Sequence, residues 1–203
     1  MLEWLTRGRT RVCTLLAIAL AAGVATGADL RSGTFKPARA APEISLRASD
    51  GNDLKLTRYR GKVVALGFGY TSCPDVCPST LFDLAQARAK LGAAGKDLQV
   101  VYVTVDPERD NAQRLKAYLA GFDPTFIGAT GTPEQLAAAR KAYGIVISRE
   151  NVPGSASAYW VHHSSFVYLI DGAGNIRALL PFGVTVDDIV HDVKALLEPC
   201  TQC

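Results

Sequence analysis

The sequence predicts an α/β domain built on a mixed sheet, and three observations carry that expectation. Two continuous apolar runs, residues 63–70 and 98–105, have the length and composition of fully buried strands. Polar capping signals followed by apolar residues at helical spacing mark helices between and after them. Short apolar segments flanking Gly- and Asp-rich turns read as hairpins. Strands interleaved with helices and hairpins in this way give an α/β domain.

Taken in order, residues 46–56 hold Ser-Asp-Gly-Asn-Asp between apolar flanks, a hairpin signal. Arg60-Gly61-Lys62 is a turn into the first buried strand. Pro78 suits the first position of a helix, and Leu81, Leu84, Ala85 and Leu91 follow at helical spacing. This puts Cys77 at the expected N-cap. Asp110 with Gln113, and Thr132 with Gln135, resemble capping boxes that open two more helices. Residues 145–160 suggest a hairpin with Pro153-Gly154-Ser155 at its tip. Residues 166–170 and 176–180 are strands around the turn Asp171-Gly172-Ala173-Gly174, and Thr185 caps a last helix through Leu197.

The 203 residues are 48% hydrophobic and 20% charged, ordinary for one globular domain with a short extra segment. A formal charge of +3 with no basic block gives nucleic-acid binding no support. The N-terminus differs in kind. Arg7, Arg9 and Arg11 precede an apolar stretch that starts at Val12 and runs on through small residues to Ala28. Residues 1–28 read as a signal anchor or as a cleaved signal peptide, with small-residue cleavage sites at Ala25-Thr26-Gly27 or Ala38-Arg39-Ala40. Either reading carries the domain across a membrane, leaving the arginines on the cytoplasmic side. The expected location is therefore the periplasm, with the domain tethered to the inner membrane or released. Cys13, at the start of the apolar run, is not placed as a lipoprotein cysteine would be. Residues 29–42, rich in Ala, Arg, Gly and Pro, read as a linker, and residues 43–199 as the folded domain. Residues 200–203 form a tail whose Cys200 and Cys203 are read as a local disulfide or a frayed end.

The chemistry concentrates at Cys73-Pro74-Asp75-Val76-Cys77-Pro78, where a buried strand gives way to a helix. Open α/β sheets place their sites at such carboxyl ends of strands. The positive end of the helix favours a thiolate at Cys77. The pair can close a disulfide or hold a metal. Closing so short a loop restrains little chain entropy, which argues against a purely structural bridge. Far downstream, His162 and His163 precede the strand at 166–170. Successive strand residues face opposite ways, so one of the two at most is expected to face the cysteines. His191, on the last helix, reads as a surface residue. Two thiolates and an imidazole make a soft ligand set that suits copper.

A thiol–disulfide exchange site is the rival reading. Enzymes of thioredoxin type separate their cysteines by two residues, where this chain has three, and place a cis-proline just before the corresponding strand. Here no proline lies between Pro153 and Pro181, and His163 is offered instead. A peroxidase of peroxiredoxin type is weaker still, because the paired, proline-flanked cysteines do not suit it.

The motifs resemble those of the SCO/SenC family, copper chaperones of cytochrome c oxidase assembly. The matching pieces are Gly61-Lys62-Val63-Val64, Gly69-Tyr70-Thr71-Ser72-Cys73-Pro74-Asp75-Val76-Cys77-Pro78 and Val103-Thr104-Val105-Asp106-Pro107-Glu108-Arg109-Asp110. Ile127-Gly128-Ala129-Thr130-Gly131 and Tyr159-Trp160-Val161-His162-His163-Ser164 complete the set. The resemblance implies a thioredoxin-like mixed sheet flanked by helices, with an N-terminal β-hairpin and a hairpin insertion before the histidine. It implies copper, Cu(I) or Cu(II), on Cys73, Cys77 and His163, and delivery to the binuclear centre of oxidase subunit II. It implies a metallochaperone rather than an enzyme. As an alternative, it implies a thiol reductant of that subunit acting through a Cys73–Cys77 disulfide. The family usually has an acidic residue where His162 stands, so His162 is expected to alter the support of the ligands, to compete with them, or to replace His163 if the strand slips register. Asp106 is expected as supporting structure near the site, while Tyr70 and Trp160 are read as core or rim aromatics.

Overall fold

The computed structural model describes residues 29–153 and 158–198. The expected signal segment (1–28), part of the hairpin tip (Gly154-Ser155) and the cysteine tail (200–203) lie outside the described residues.

An outer strand β1 (Gly33–Ala40) precedes the short hairpin of β2 (Leu46–Ala48) and β3 (Asp53–Leu54). The hairpin turns where Asp50 accepts the Asn52 N–H at 3.0 Å and Gly51 takes φ +91°, a left-handed conformation that a side chain would strain. A 3-10 turn at Leu56–Tyr59 leads into β4 (Val63–Gly69). Next come α1 (Val76–Lys90), a second 3-10 turn (Gly92–Asp97) and β5 (Leu98–Thr104). The chain continues through α2 (Ala112–Ala120), β6 (Ile127–Thr130) and α3 (Pro133–Tyr143). A separate antiparallel hairpin, β7 (Ile147–Asn151) and β8 (Tyr159–His163), comes before β9 (Val167–Ile170), β10 (Asn175–Leu180) and α4 (Val186–Leu197).

The main sheet has the order β1-β10-β9-β4-β5-β6-β2-β3. β4, β5 and β6 are mutually parallel, which requires α1 and α2 as crossovers. Every residue of β4 is buried, as befits a strand covered on both faces. β9 runs antiparallel to β4, pairing Val167 with Gly67 and Ile170 with Val64. The start of β9 therefore lies beside the end of β4. α1 packs on α4, and α2 packs on β6.

Local chemistry explains the helix ends. Thr132 and Gln135 complete the expected capping box of α3, and Gly144 closes that helix at φ +66°. Thr185 caps α4 by accepting the Asp188 N–H, with Asp187 and Asp188 at the positive end of the helix.

Three expectations are corrected. Residues 33–40 of the expected linker form β1, which pairs antiparallel with β10. The strand is almost wholly exposed and its pairing is a backbone matter, so it carries no apolar alternation to reveal it. Helix α1 opens two residues earlier than Pro78, with Asp75 at the N-cap and Pro78 at the third helical position. Proline is tolerated there because the first N–H groups of a helix have no partner within it. Asp110 does not cap α2. Asn111 does, accepting the Arg114 N–H at 2.8 Å, and Asp110 is wholly buried.

The N-terminal lead into β1 is tied down by Asp192 of α4, also wholly buried, which accepts the backbone N–H groups of Arg31 at 2.7 Å and Ser32 at 3.0 Å. His191 beside it is half-exposed and contacts the same carboxylate at 3.1 Å. Asp192→Ala is expected to destabilise the domain by about 2 kcal/mol, the scale of lost hydrogen bonds to a charged acceptor. Urea unfolding reads this directly, and an unchanged midpoint would show that the lead into β1 is held by other contacts.

Candidate metal centre

Sheet topology assembles the site. The loop from the end of β4 carries Cys73, the first turn of α1 carries Cys77, and the end of β8, just before β9, carries His163. Because β9 is antiparallel to β4, the histidine arrives at the edge where the cysteines lie. Cys77 Sγ and His163 Nε2 are 3.5 Å apart. Both cysteines are free thiols, with Cys77 buried and Cys73 partly exposed.

The two sulfurs are electrostatically unequal. Cys73 accepts a hydrogen bond from the Cys77 thiol and further bonds from the N–H groups of Asp75 and Cys77, and its pKa falls from 9.0 to about 5. Cys77, donor in that pair and buried, is pushed well up. The amides at the mouth of α1 thus serve Cys73, whereas the sequence placed the favoured thiolate at Cys77. The two-residue shift of the helix start is the reason.

The histidine's tautomer follows from its surroundings. His163 Nδ1 lies 2.9 Å from the Ser164 carbonyl, which can only accept. Nδ1 therefore carries the proton, and the Nε2 lone pair faces Cys77 Sγ. The Tyr70 ring meets the imidazole edge-on, with centroids 6.2 Å apart. The Tyr70 hydroxyl accepts the Val161 N–H at 3.3 Å, tying β8 to the end of β4. Among the described residues, no three Cys, His, Asp or Glu side chains stand gathered as a finished metal cage. Of the three candidate donors, Cys77 and His163 touch, and Cys73 lies in the loop that leads into the same helix.

The cysteine loop is fixed by Asp110. Its carboxylate accepts the Thr71 N–H at 2.9 Å, the Thr71 hydroxyl at 2.5 Å and the Thr104 hydroxyl at 2.8 Å. Arg114 donates to the Thr71 and Ser72 hydroxyls from outside. A buried side chain taking three hydrogen bonds from β5 and the loop after β4 leaves that loop little freedom.

A SCO1/SenC family profile matches residues 33–198. The chain belongs to the SCO1/SenC family. A SCO2-like protein of Rickettsia felis is 34% identical over 132 residues, 65% of this chain and 64% of its own, so the match spans just under two thirds of that relative. ScoI of Arabidopsis thaliana, solved with copper bound, is 33% identical with a TM-score of 0.70, covering 77% of this chain and 97% of that one. The solution structure of apo Sco1 from Thermus thermophilus is 31% identical with a TM-score of 0.74, covering 83% and 97%. The mixed sheet with its flanking helices is the thioredoxin-like fold that the motifs implied.

Within this SCO1/SenC domain the remaining expected residues divide. His162 points away from the sulfurs, mostly exposed, with Nε2 2.8 Å from Glu150 across the β7–β8 hairpin. Trp160, two residues back on the same face, is also exposed. Asp106 is wholly buried, and none of its hydrogen bonds or ion pairs is to Cys73, Cys77 or His163. It binds Arg109 and accepts the Tyr159 hydroxyl at 2.7 Å. Arg109 stacks between the Tyr159 and Tyr70 rings, 3.9 and 5.5 Å from their centroids. Asp106 thus pins the hairpin that ends in His163, acting on the site through Tyr159 and Tyr70. Sequence reasoning missed Asp110 as a loop anchor and Tyr159 as a latch. The only available signal for them was the acidic spacing at 106–110, and a helix cap explains that spacing as well.

The inequality of the thiols is testable. The thiolate is the nucleophile, so Cys73 should react with iodoacetamide at pH 6.5 while Cys77 is spared. Its rate should fall as pH drops through about 5. A rate that rises only near pH 9 would contradict the assignment.

Proposed function

We propose that the chain is a copper chaperone for cytochrome c oxidase assembly, holding one copper through the Cys73 and Cys77 thiolates and the Nε2 of His163. The observation that carries this reading is the Cys77–His163 contact beside a Cys73 already poised as a thiolate. Two thiolates and one imidazole are a donor set chosen by copper over hard cations. Family membership and a copper-bound relative support the metal. Three protein ligands that are close but not caged leave the ion open to an incoming ligand, so cargo can pass by exchange of one donor at a time. Loading requires both thiols deprotonated and His163 neutral, so it weakens as pH falls and is blocked by disulfide formation.

The recipient we propose is oxidase subunit II, with its binuclear copper centre. The N-terminal segment would hold the domain at the outer face of the inner membrane, in the periplasm, as its arginines and apolar run suggest. Among the described residues no helix is long and apolar enough to cross a membrane. That leaves the segment at residues 1–28 as the proposed tether.

A second reading has its own support. An acidic thiol beside a second free cysteine is what disulfide reduction needs: Cys73 attacks, and Cys77 resolves the mixed disulfide. Titrating the reduced full chain with Cu(II) anaerobically separates the two. Chaperone function predicts one copper per chain with sulfur-to-copper charge-transfer bands, lost in Cys73→Ser/Cys77→Ser, with affinity down at least about tenfold in His163→Ala. Unchanged affinity in His163→Ala would remove the histidine from the site. Turnover of a disulfide substrate without copper, and no bands with it, would favour the reductase.

A further inference from the structure

The chemistry described so far uses the sulfurs and the imidazole but not the phenol behind them. Tyr102 lies on β5 and is 4% exposed. Its ring lies along β4 in a slot made by two glycines on one strand face. A methyl carbon on Gly67 would sit 3.6 Å from Tyr102 Cδ2, and one on Gly69 would overlap Tyr102 Oη. The same position beside Gly69 is 2.8 Å from Cys77 Sγ. The hydroxyl and the sulfur therefore border the same space beside Gly69, which a side chain there would fill.

A buried phenol needs a partner for its O–H. The Tyr70 carbonyl stands at 3.5 Å, the outer limit of a hydrogen bond. The other group within reach is the Cys77 side chain, whose Sγ borders the same space beside Gly69 as the hydroxyl. Tyrosine is the donor, because a Cys77 thiol proton has the His163 Nε2 lone pair to point at, and a phenol is a better donor than a thiol.

We propose that the Tyr102 hydroxyl donates a hydrogen bond to Cys77 Sγ and so tunes that sulfur, both as a metal ligand and as half of the thiol pair. A donor on a ligating sulfur withdraws electron density from it, which favours the lower oxidation state of the metal. The same donor stabilises the reduced pair over the disulfide, whose sulfurs are poorer acceptors. That reduction breaks the Cys73–Cys77 S–S bond and takes two electrons and two protons, both supplied by an external dithiol that closes to its own disulfide, and gives the two free cysteines. Tyr102 is a positioning residue in this role and touches no cargo. The metal part of the inference rests on the proposed copper site, and the thiol part does not.

The test is Tyr102→Phe in the full chain, which deletes one oxygen from the slot. Equilibrated with a dithiol of known potential and no metal present, the variant should shift roughly tenfold toward the Cys73–Cys77 disulfide, about 30 mV for a two-electron couple. Loaded with Cu(II), it should show its sulfur-to-copper band at lower energy than the wild-type chain. Should the phenylalanine variant fail to fold, 3-fluorotyrosine at position 102, a stronger donor of similar shape, should move both readouts the opposite way. An equilibrium and band unchanged from wild type would overturn the proposal and assign the hydroxyl to the Tyr70 carbonyl alone. A wild-type chain that takes up no copper would count against the chaperone reading, and the dithiol equilibrium would still decide the role of Tyr102.

Discussion

The antiparallel pairing of β9 against β4 is the constraint on which the rest depends. A parallel neighbour would bring its start to the opposite edge of the sheet, away from the cysteines. Antiparallel pairing with Val167 opposite Gly67 puts the residues before β9 beside the loop that leaves β4. His163 and Cys77 are 86 residues apart in sequence and 3.5 Å apart in space for this reason. Burial on both faces of β4 makes the register hard to change, since a one-residue slip would reverse every side chain.

On that frame the two cysteines and the histidine are held in different ways. Asp110 fastens the cysteine loop from inside with three hydrogen bonds, and helix α1 fixes Cys77. The histidine sits at the end of a two-stranded hairpin outside the main sheet, held to it by Tyr70, Arg109, Tyr159 and Asp106. Two-stranded ribbons are marginal by themselves, so these contacts decide how firmly the imidazole stays. A rigid sulfur side and a latched imidazole side would suit the proposed holding and release of an ion. The acidic Cys73 is the partly exposed member of the pair and Cys77 the buried one, so the proposed partner would meet Cys73 first.

Much of this was legible in the sequence. The buried strands, the helices and the hairpins are written in apolar runs, capping residues and turns, and the cysteine and histidine motifs are ones that the fold brings together. What was hidden has physical causes. β1 is an exposed edge strand joined through its backbone, so its side chains carry no pattern. Asp110 and Asn111 are adjacent and both competent caps, and only the fold decides that one caps while the other is buried. The face taken by His162 depends on hairpin register, which sends it to Glu150 and His163 to the sulfur. The Tyr102 slot needs two glycines on one strand and a tyrosine on the next, a match that appears only once the strands are paired.

The central claim is that one ion is held by two sulfurs and one imidazole contributed from both sides of the β4–β9 edge. Copper K-edge X-ray absorption on the loaded full chain reads that set directly. The account predicts two sulfur scatterers and one imidazole nitrogen, with the imidazole contribution missing in His163→Ala and retained in His162→Ala. A shell of nitrogen and oxygen without sulfur, or an imidazole lost only when His162 is replaced, would contradict it.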